Sequence, residues 1–195
     1  GRIWEPDFLL IALYVKFSYT SIKPDLGLAA CEYFLRARTI WYFAHTKMLL
    51  DMIQVCLRNN FFMFDNKIYL QLQGTAMGTC FAPSYASLFV GWWEKRVLEG
   101  DLLDQFQPNI ITWRRYIDDV FVTWKDTHAA ALDFVNLLNN NSYNLEFSHT
   151  ISDTSVVYLD IEVVVEQQQL TTKLHRKAIA RNTLLHASSS HPRNL

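Results

Sequence analysis

Cysteine is scarce in this sequence of 195 residues, and the scarcity excludes two architectures. Cys31, Cys56 and Cys80 are odd in number, lie far apart and form no C-x-x-C pair. That argues against a disulfide framework and a zinc module, and it fits a reducing intracellular compartment, nucleus or cytoplasm. A basic segment ahead of the first apolar run is also missing. Phe8–Val15 follows Glu5 and Asp7, the wrong charge for a secretory signal, and the chain opens on Gly1, so its N-terminus reads as an internal cut. Acidic residues are absent after Glu166, where Lys173, Arg176, Lys177, Arg181 and Arg193 stand. The remainder holds all 19 acidic residues and 13 of the 18 basic ones, so it is net negative. A net charge of −1 predicts no polyanion partner, but the asymmetry marks a basic terminal strip, either a solvated edge or a phosphate contact.

What is present is a core. Half the residues are hydrophobic and 14% are aromatic, which excludes global disorder, and the length fits one domain or a large fragment of one. Gly74–Trp93 carries no charge over 20 residues and contains Gly74-x-x-x-Gly78. Thr75, Thr79, Pro83, Ser84, Ser87 and a loop-like first half argue against reading it as a membrane span, so no membrane partner is expected.

Periodicity predicts a strand over Phe8–Phe17 and a helix opened by Pro24-Asp25, with Leu28, Cys31, Phe34 and Leu35 on one face. A second helix follows over His45–Leu57. Phe61–Phe64 and Lys67–Leu72 flank Asp65-Asn66 as a hairpin. After a Gly-rich loop, a helix runs from about Ser84 to Leu98, with Pro83 before it and Gly100 beyond. Ile110–Ile117 and Val120–Trp124 read as strands joined at Asp118-Asp119, and Asp126–Leu138 as a helix. Tyr143–His149, Val156–Val165 and Leu170–Arg176 read as three more strands, and Ser188–Leu195 as a loose tail. The expected class is α+β with a mainly antiparallel sheet backed by helices.

Two stretches could carry chemistry. In "TWRRYIDDVFVTW", Thr112–Trp124, two aspartates sit between apolar strand formers. An exposed hairpin tip accommodates such a pair. Alternatively, the flanking strands hold both carboxylates where water is partly excluded, and a counter-cation is then required. No Lys or Arg lies between Tyr116 and Trp124, so a hard divalent ion such as Mg²⁺ is the natural neutraliser. The second stretch is "LQLQGTAMGTCFAPSYASLF", Leu70–Phe89. No Lys-Ser/Thr follows its second glycine, so it is not a Walker loop. Its small residues either let a flat or charged ligand approach the backbone or form a tight turn packed on the sheet.

Together, "QGTAMGTCFAPSYASLF" and, 27 residues later, "YIDD" resemble motifs B and C of a reverse transcriptase palm. With "FVTW" after the acids, "YLDIEV" at Tyr158–Val163 and "RNTLLHASSSHP" at Arg181–Pro192, the ordered blocks are similar to Penelope-like retroelement reverse transcriptases over nearly the whole chain. The resemblance implies a polymerase palm over residues 1–165, then a basic hairpin strand and tail over 166–195 leading toward a thumb. Fingers, most of the thumb and the family's GIY-YIG endonuclease are missing. It also implies RNA-directed DNA synthesis by two-metal nucleotidyl transfer, with Mg²⁺, an RNA template, a DNA primer and deoxynucleoside triphosphates.

By the same resemblance Asp118 is a catalytic metal ligand and Asp119 its weaker neighbour. Gln73 and Gly74 contact the incoming nucleotide and template base pair, and Lys173, Arg176, Lys177 and Arg181 touch primer or template phosphates. Tyr19 is either the gate under the incoming sugar or an inward-facing core tyrosine. Asp160 reads as a hairpin residue. Two departures stand out. Motif A corresponds to "LYVKFSYTSI", Leu13–Ile22, which puts Tyr14 where the family has aspartate, and a phenol with a pKa near 10 is no anionic bridge at pH 7. "RKAIARNTLLH" also stands where the family has a form like "RKPTDRNTLLH". The expected activity of the chain alone is therefore little or none, and a non-catalytic nucleic-acid-binding relic is the alternative.

Overall fold

The computed structural model describes residues 7–16, 19–37, 43–76 and 78–176. Its centre is β1, Phe8–Lys16, an almost uninterrupted apolar run buried on both faces. A strand of that composition belongs in the middle of a sheet. β1 lies between β5 (Asp119–Lys125) and β6 (Glu146–Ser152), with β4 (Ile110–Tyr116) outside β5, in the order β4-β5-β1-β6. All three pairings are antiparallel. The expected α+β class with antiparallel pairing is what the chain adopts, although the described strands form three separate sheets.

Alternation along β1 divides the core. Leu9, Ile11, Leu13 and Val15 face the helices with Val120, Val122 and Trp124 of β5. Phe8 and Leu10 face the other way and join Val156 and Val163 in a smaller cluster. On the helical side α1 (Pro24–Arg36), α2 (Phe43–Arg58), α3 (Ala82–Leu98) and α4 (His128–Asn139) follow the expected order. α3 contributes most, burying Ala82, Tyr85, Ala86, Phe89, Val90, Trp93 and Val97 at three- and four-residue spacing. Completely burying a Phe-sized side chain contributes roughly 1.5–3 kcal/mol, so Phe89, Trp93, Trp124 and Phe134 dominate this core. None of the helices of the described residues is long and apolar enough to cross a membrane.

Three element boundaries differ from expectation for identifiable reasons. α4 begins at His128, because Thr127 is its cap: the Thr127 hydroxyl accepts the Ala130 amide at 3.3 Å. β6 begins at Glu146 and not at Tyr143. Asn141 occupies the intervening backbone, donating to the carbonyls of Leu138 and Leu145 and accepting from the amides of Tyr143 and Leu145. The run Val156–Val165 is two strands, β7 (Ser155–Tyr158) and β8 (Ile161–Glu166), reversed at Leu159-Asp160 with Leu159 at φ +58°. β9 (Gln169–Leu174) completes that three-stranded sheet. Asp160 thus sits at the hairpin turn anticipated for it. The remaining hairpin, β2 (Phe61–Phe64) with β3 (Lys67–Leu70), turns at Asp65-Asn66 as expected, both at positive φ.

Candidate functional site

The β4–β5 hairpin closes at the Tyr116–Asp119 pair, leaving Ile117 and Asp118 as its two-residue turn. Ile117 has φ +53°, a left-handed conformation that costs a β-branched residue on the order of 1–3 kcal/mol unless its surroundings hold it. They do. The Arg115 guanidinium donates to the Ile117 carbonyl at 2.9 Å and to Glu94 Oε2 of α3 at 3.0 Å, while Trp113 Nε1 donates to Glu94 Oε1 at 2.5 Å. From the other side the Val15 amide donates to the Asp118 carbonyl at 2.9 Å. The acidic turn is thereby fastened to α3 and to β1. Both carboxylates are half-buried.

Tyr14 stands directly opposite Asp119 in the β1–β5 register. The acidic turn therefore does not face β1 across a cleft; the two strands pair in one sheet. Residues directly opposite in such a pair have Cβ atoms about 4.5–5.5 Å apart. Tyr14 is 46% exposed, and the pKa of its phenol is raised by partial desolvation first, then by the Asp118 and Asp119 charges. Tyr158, whose ring lies 5.6 Å from that of Phe121, is also raised, by burial and then Asp119, with Arg115 opposing.

A neutral phenol thus stands beside the acids where the resemblance implies a third anionic ligand for the cation. A site for two Mg²⁺ ions needs bridging anionic oxygens, and the set at this point is two carboxylates and a protonated phenol. Among the described residues no group of three or more His, Cys, Asp or Glu side chains could hold a metal ion. These residues do not fit a pair of divalent ions.

Gln73 and Gly74 lie against the segment that follows β1. Gly74 N donates to the Ile22 carbonyl at 2.8 Å, Thr75 N to Tyr19 at 2.7 Å, and Gln73 Nε2 to Ser21 at 2.6 Å. Asn144 Nδ2 also donates to the Ser21 carbonyl. Gly74 is buried at φ +72°, and a Cβ there would meet Thr20 backbone atoms at 2.5 Å. The close approach this glycine permits is to the protein's own backbone, the packed-turn alternative. Gly78, at φ +95°, has nothing within 4 Å of a Cβ. Tyr19 is half-buried and packs on the main core, which favours its core reading, yet it remains close enough to act electrostatically on Tyr14.

The structure therefore gathers Tyr14, Tyr19, Asp118 and Asp119, with Gln73 and Gly74 bonded to the segment that carries Tyr19. The basic residues stand differently. Lys173 on β9 pairs with Glu166 at 2.5 Å, an exposed contact that raises the lysine pKa and lowers that of the glutamate. Arg176 is exposed. Lys177 and Arg181 lie outside the described residues, as does the Arg181–Pro192 block. Sequence reasoning missed the Arg115–Glu94–Trp113 brace; Glu94 opens the charged triplet Glu94-Lys95-Arg96, which reads as an ordinary solvated end of α3.

The fold has solved counterparts. Telomerase from Candida albicans in complex with a TWJ fragment of telomeric RNA aligns with a TM-score of 0.66 at 12% identity, over 90% of this chain and 32% of that one. Apo telomerase from Candida tropicalis truncated from its C-terminal domain aligns with a TM-score of 0.61 at 8% identity, over 87% and 36%. The RNA-dependent RNA polymerase of a human picorbirnavirus aligns with a TM-score of 0.57 at 14% identity, over 83% and 29%. No family model matches the chain, and neither does a curated protein. The chain spans about a third of the length of these structures, and the likeness is one of fold: polymerase-like, with helices on an antiparallel sheet.

Proposed function

We propose that the chain is the palm of an RNA-directed DNA polymerase of Penelope-like retroelement descent, in which a phenol replaces a metal-bridging carboxylate and the chain alone catalyses little or no nucleotidyl transfer. One observation carries the reading: Tyr14 is paired opposite Asp119, beside Asp118, within a polymerase-like fold. Transfer to a primer 3′-hydroxyl requires negative charge to be offset at the attacking and leaving oxygens. Tyr14 is neutral at pH 7, so it supplies no anionic oxygen there. On this reading RNA template, DNA primer and deoxynucleoside triphosphates are the partners. Gln73, Gly74 and Tyr19 would lie beside the incoming nucleotide, and Lys173, Arg176, Lys177 and Arg181 beside backbone phosphates. The palm then covers residues 1–165 and the basic strip 166–195.

Primer extension on an RNA template with Mg²⁺ tests the reading, with the parent chain run beside Tyr14→Asp. The expected result is background synthesis by the parent and a Mg²⁺-dependent gain in the variant. Robust synthesis by the parent overturns it. The same phenol–carboxylate contact also favours a non-catalytic nucleic-acid-binding relic. That reading predicts primer–template binding without extension by either protein, weakening steeply with salt.

A further inference from the structure

The β2–β3 hairpin takes no part in either hydrophobic core, yet seven of its eight strand residues are apolar. Every one of the eight is exposed. Met63 is 72% exposed, Phe64 70% and Ile68 75%, and Leu72 just beyond reaches 80%. Strand alternation gives it two faces. Phe62, Phe64 and Tyr69 lie on one, with Phe62 and Tyr69 stacked at 5.5 Å; Phe61, Met63, Ile68 and Leu70 lie on the other. The hairpin is also firmly rooted. Asn60 and Gln71 clamp its base through a backbone and a side-chain hydrogen bond, each 2.8 Å.

A second unpartnered apolar surface lies on α2. Met48, Met52 and Val55, spaced four and three residues apart, are each more than half exposed. They line a groove of about 670 Å³ with Lys47, Asp51 and Cys56. We propose that these two surfaces are halves of one interface: the hairpin of each copy seats on the α2 groove of a second copy of the chain, about a two-fold axis.

Exposed area and charge select a second copy as the occupant. Hairpin and stripe together leave apolar side-chain surface on the order of 1,000 Å² per copy open to water, judged from aromatic side chains of 150–250 Å². The largest apolar patch on a typical monomer is about 300–600 Å². A standard interface covers about 800 Å² per partner, so a reciprocal pair has the surface it needs. In a two-fold contact residue i meets j and j meets i, so each hairpin needs only the groove the other copy already carries. The charges match as well. The hairpin turn presents Asp65 and Lys67 two residues apart, and the groove presents Lys47 and Asp51 one helical turn apart, so each charge meets its opposite.

Sedimentation of the parent chain across roughly 1–100 µM, the range in which interfaces of this size associate, tests the proposal. The expected result is a reversible dimer. Phe64→Lys and Met52→Glu each weaken it tenfold or more and leave unchanged the circular dichroism spectrum, and the Tm at concentrations where the parent is monomeric, because both side chains are exposed. Lys47→Glu weakens it as well, and adding Asp65→Lys restores it. A parent that stays monomeric over the whole range overturns the proposal. So does a dimer indifferent to both Phe64→Lys and Met52→Glu, or a monomer whose hairpin resists hydroxyl-radical labelling because something else covers it.

Discussion

Gly74 can be tested against an internal control. Replacing it with alanine imposes two penalties. The first is conformational: at φ +72° a Cβ costs roughly 1–2 kcal/mol. The second is contact, since the Cβ would lie 2.5 Å from the Cα, C and O of Thr20. Those are backbone atoms and cannot swing aside, so the Gly74–Ile22 and Thr75–Tyr19 hydrogen bonds must stretch to make room. Overpacking of this kind costs about 1–3 kcal/mol, and each weakened hydrogen bond up to about 1 kcal/mol. Gly78→Ala carries the conformational penalty at φ +95° with nothing within 4 Å of the added atom. The difference between the two variants therefore isolates the contact, at about 2–4 kcal/mol. In urea, with a slope near 2 kcal/mol/M, that is a midpoint about 1–2 M lower for Gly74→Ala than for Gly78→Ala. If the two midpoints coincide within 0.3 M, roughly the uncertainty of such measurements, the packing of this turn on Thr20 is refuted.

Two further predictions concern the acidic turn. Glu94→Ala removes the partner of Arg115, which is only 15% exposed in its side chain, and takes the acceptor from Trp113. A loss of about 3 kcal/mol is expected by chemical denaturation, with faster amide exchange at Asp118 and Asp119; a loss under about 0.5 kcal/mol would place the brace among ordinary surface pairs. Tyr14 should titrate above the ordinary tyrosine range, and Asp118→Asn should lower it by removing a nearby negative charge. Because its folded pKa is raised, its contribution to stability is complete below the unfolded value near 10 and fades as pH climbs through the folded one. Tyrosinate absorbance, with Tyr14→Phe subtracted, reads this out, and a Tyr14 midpoint indifferent to Asp118→Asn counts against the contact.

Legibility in the sequence followed the range of the interaction. β1 was readable because an unbroken apolar run bounded by charges has few other uses. The β2–β3 turn was readable because Asp65-Asn66 tolerates positive φ on both residues. Asp160 reads as a hairpin residue, yet the sequence reads Val156–Val165 as one strand, because apolar residues flank a turn that carries leucine in the left-handed region. The amides of Asn139 and Asn141 bind the backbone that leads into β6, and composition cannot reveal which backbone an asparagine will meet.

The acidic pair marks the deeper limit. Its place at a hairpin and the anomaly of Tyr14 were both visible in the linear order. That they form one object was not, because their relation depends on a register spanning more than 100 residues, Tyr14 against Asp119. Once that register exists, a neutral phenol stands beside the two carboxylates where the resemblance implies a third anionic ligand. An aspartate at position 14 in the same register would reverse this logic. A third carboxylate at this exposed position, beside Asp118 and Asp119, would repel both, and a divalent ion would offset that repulsion.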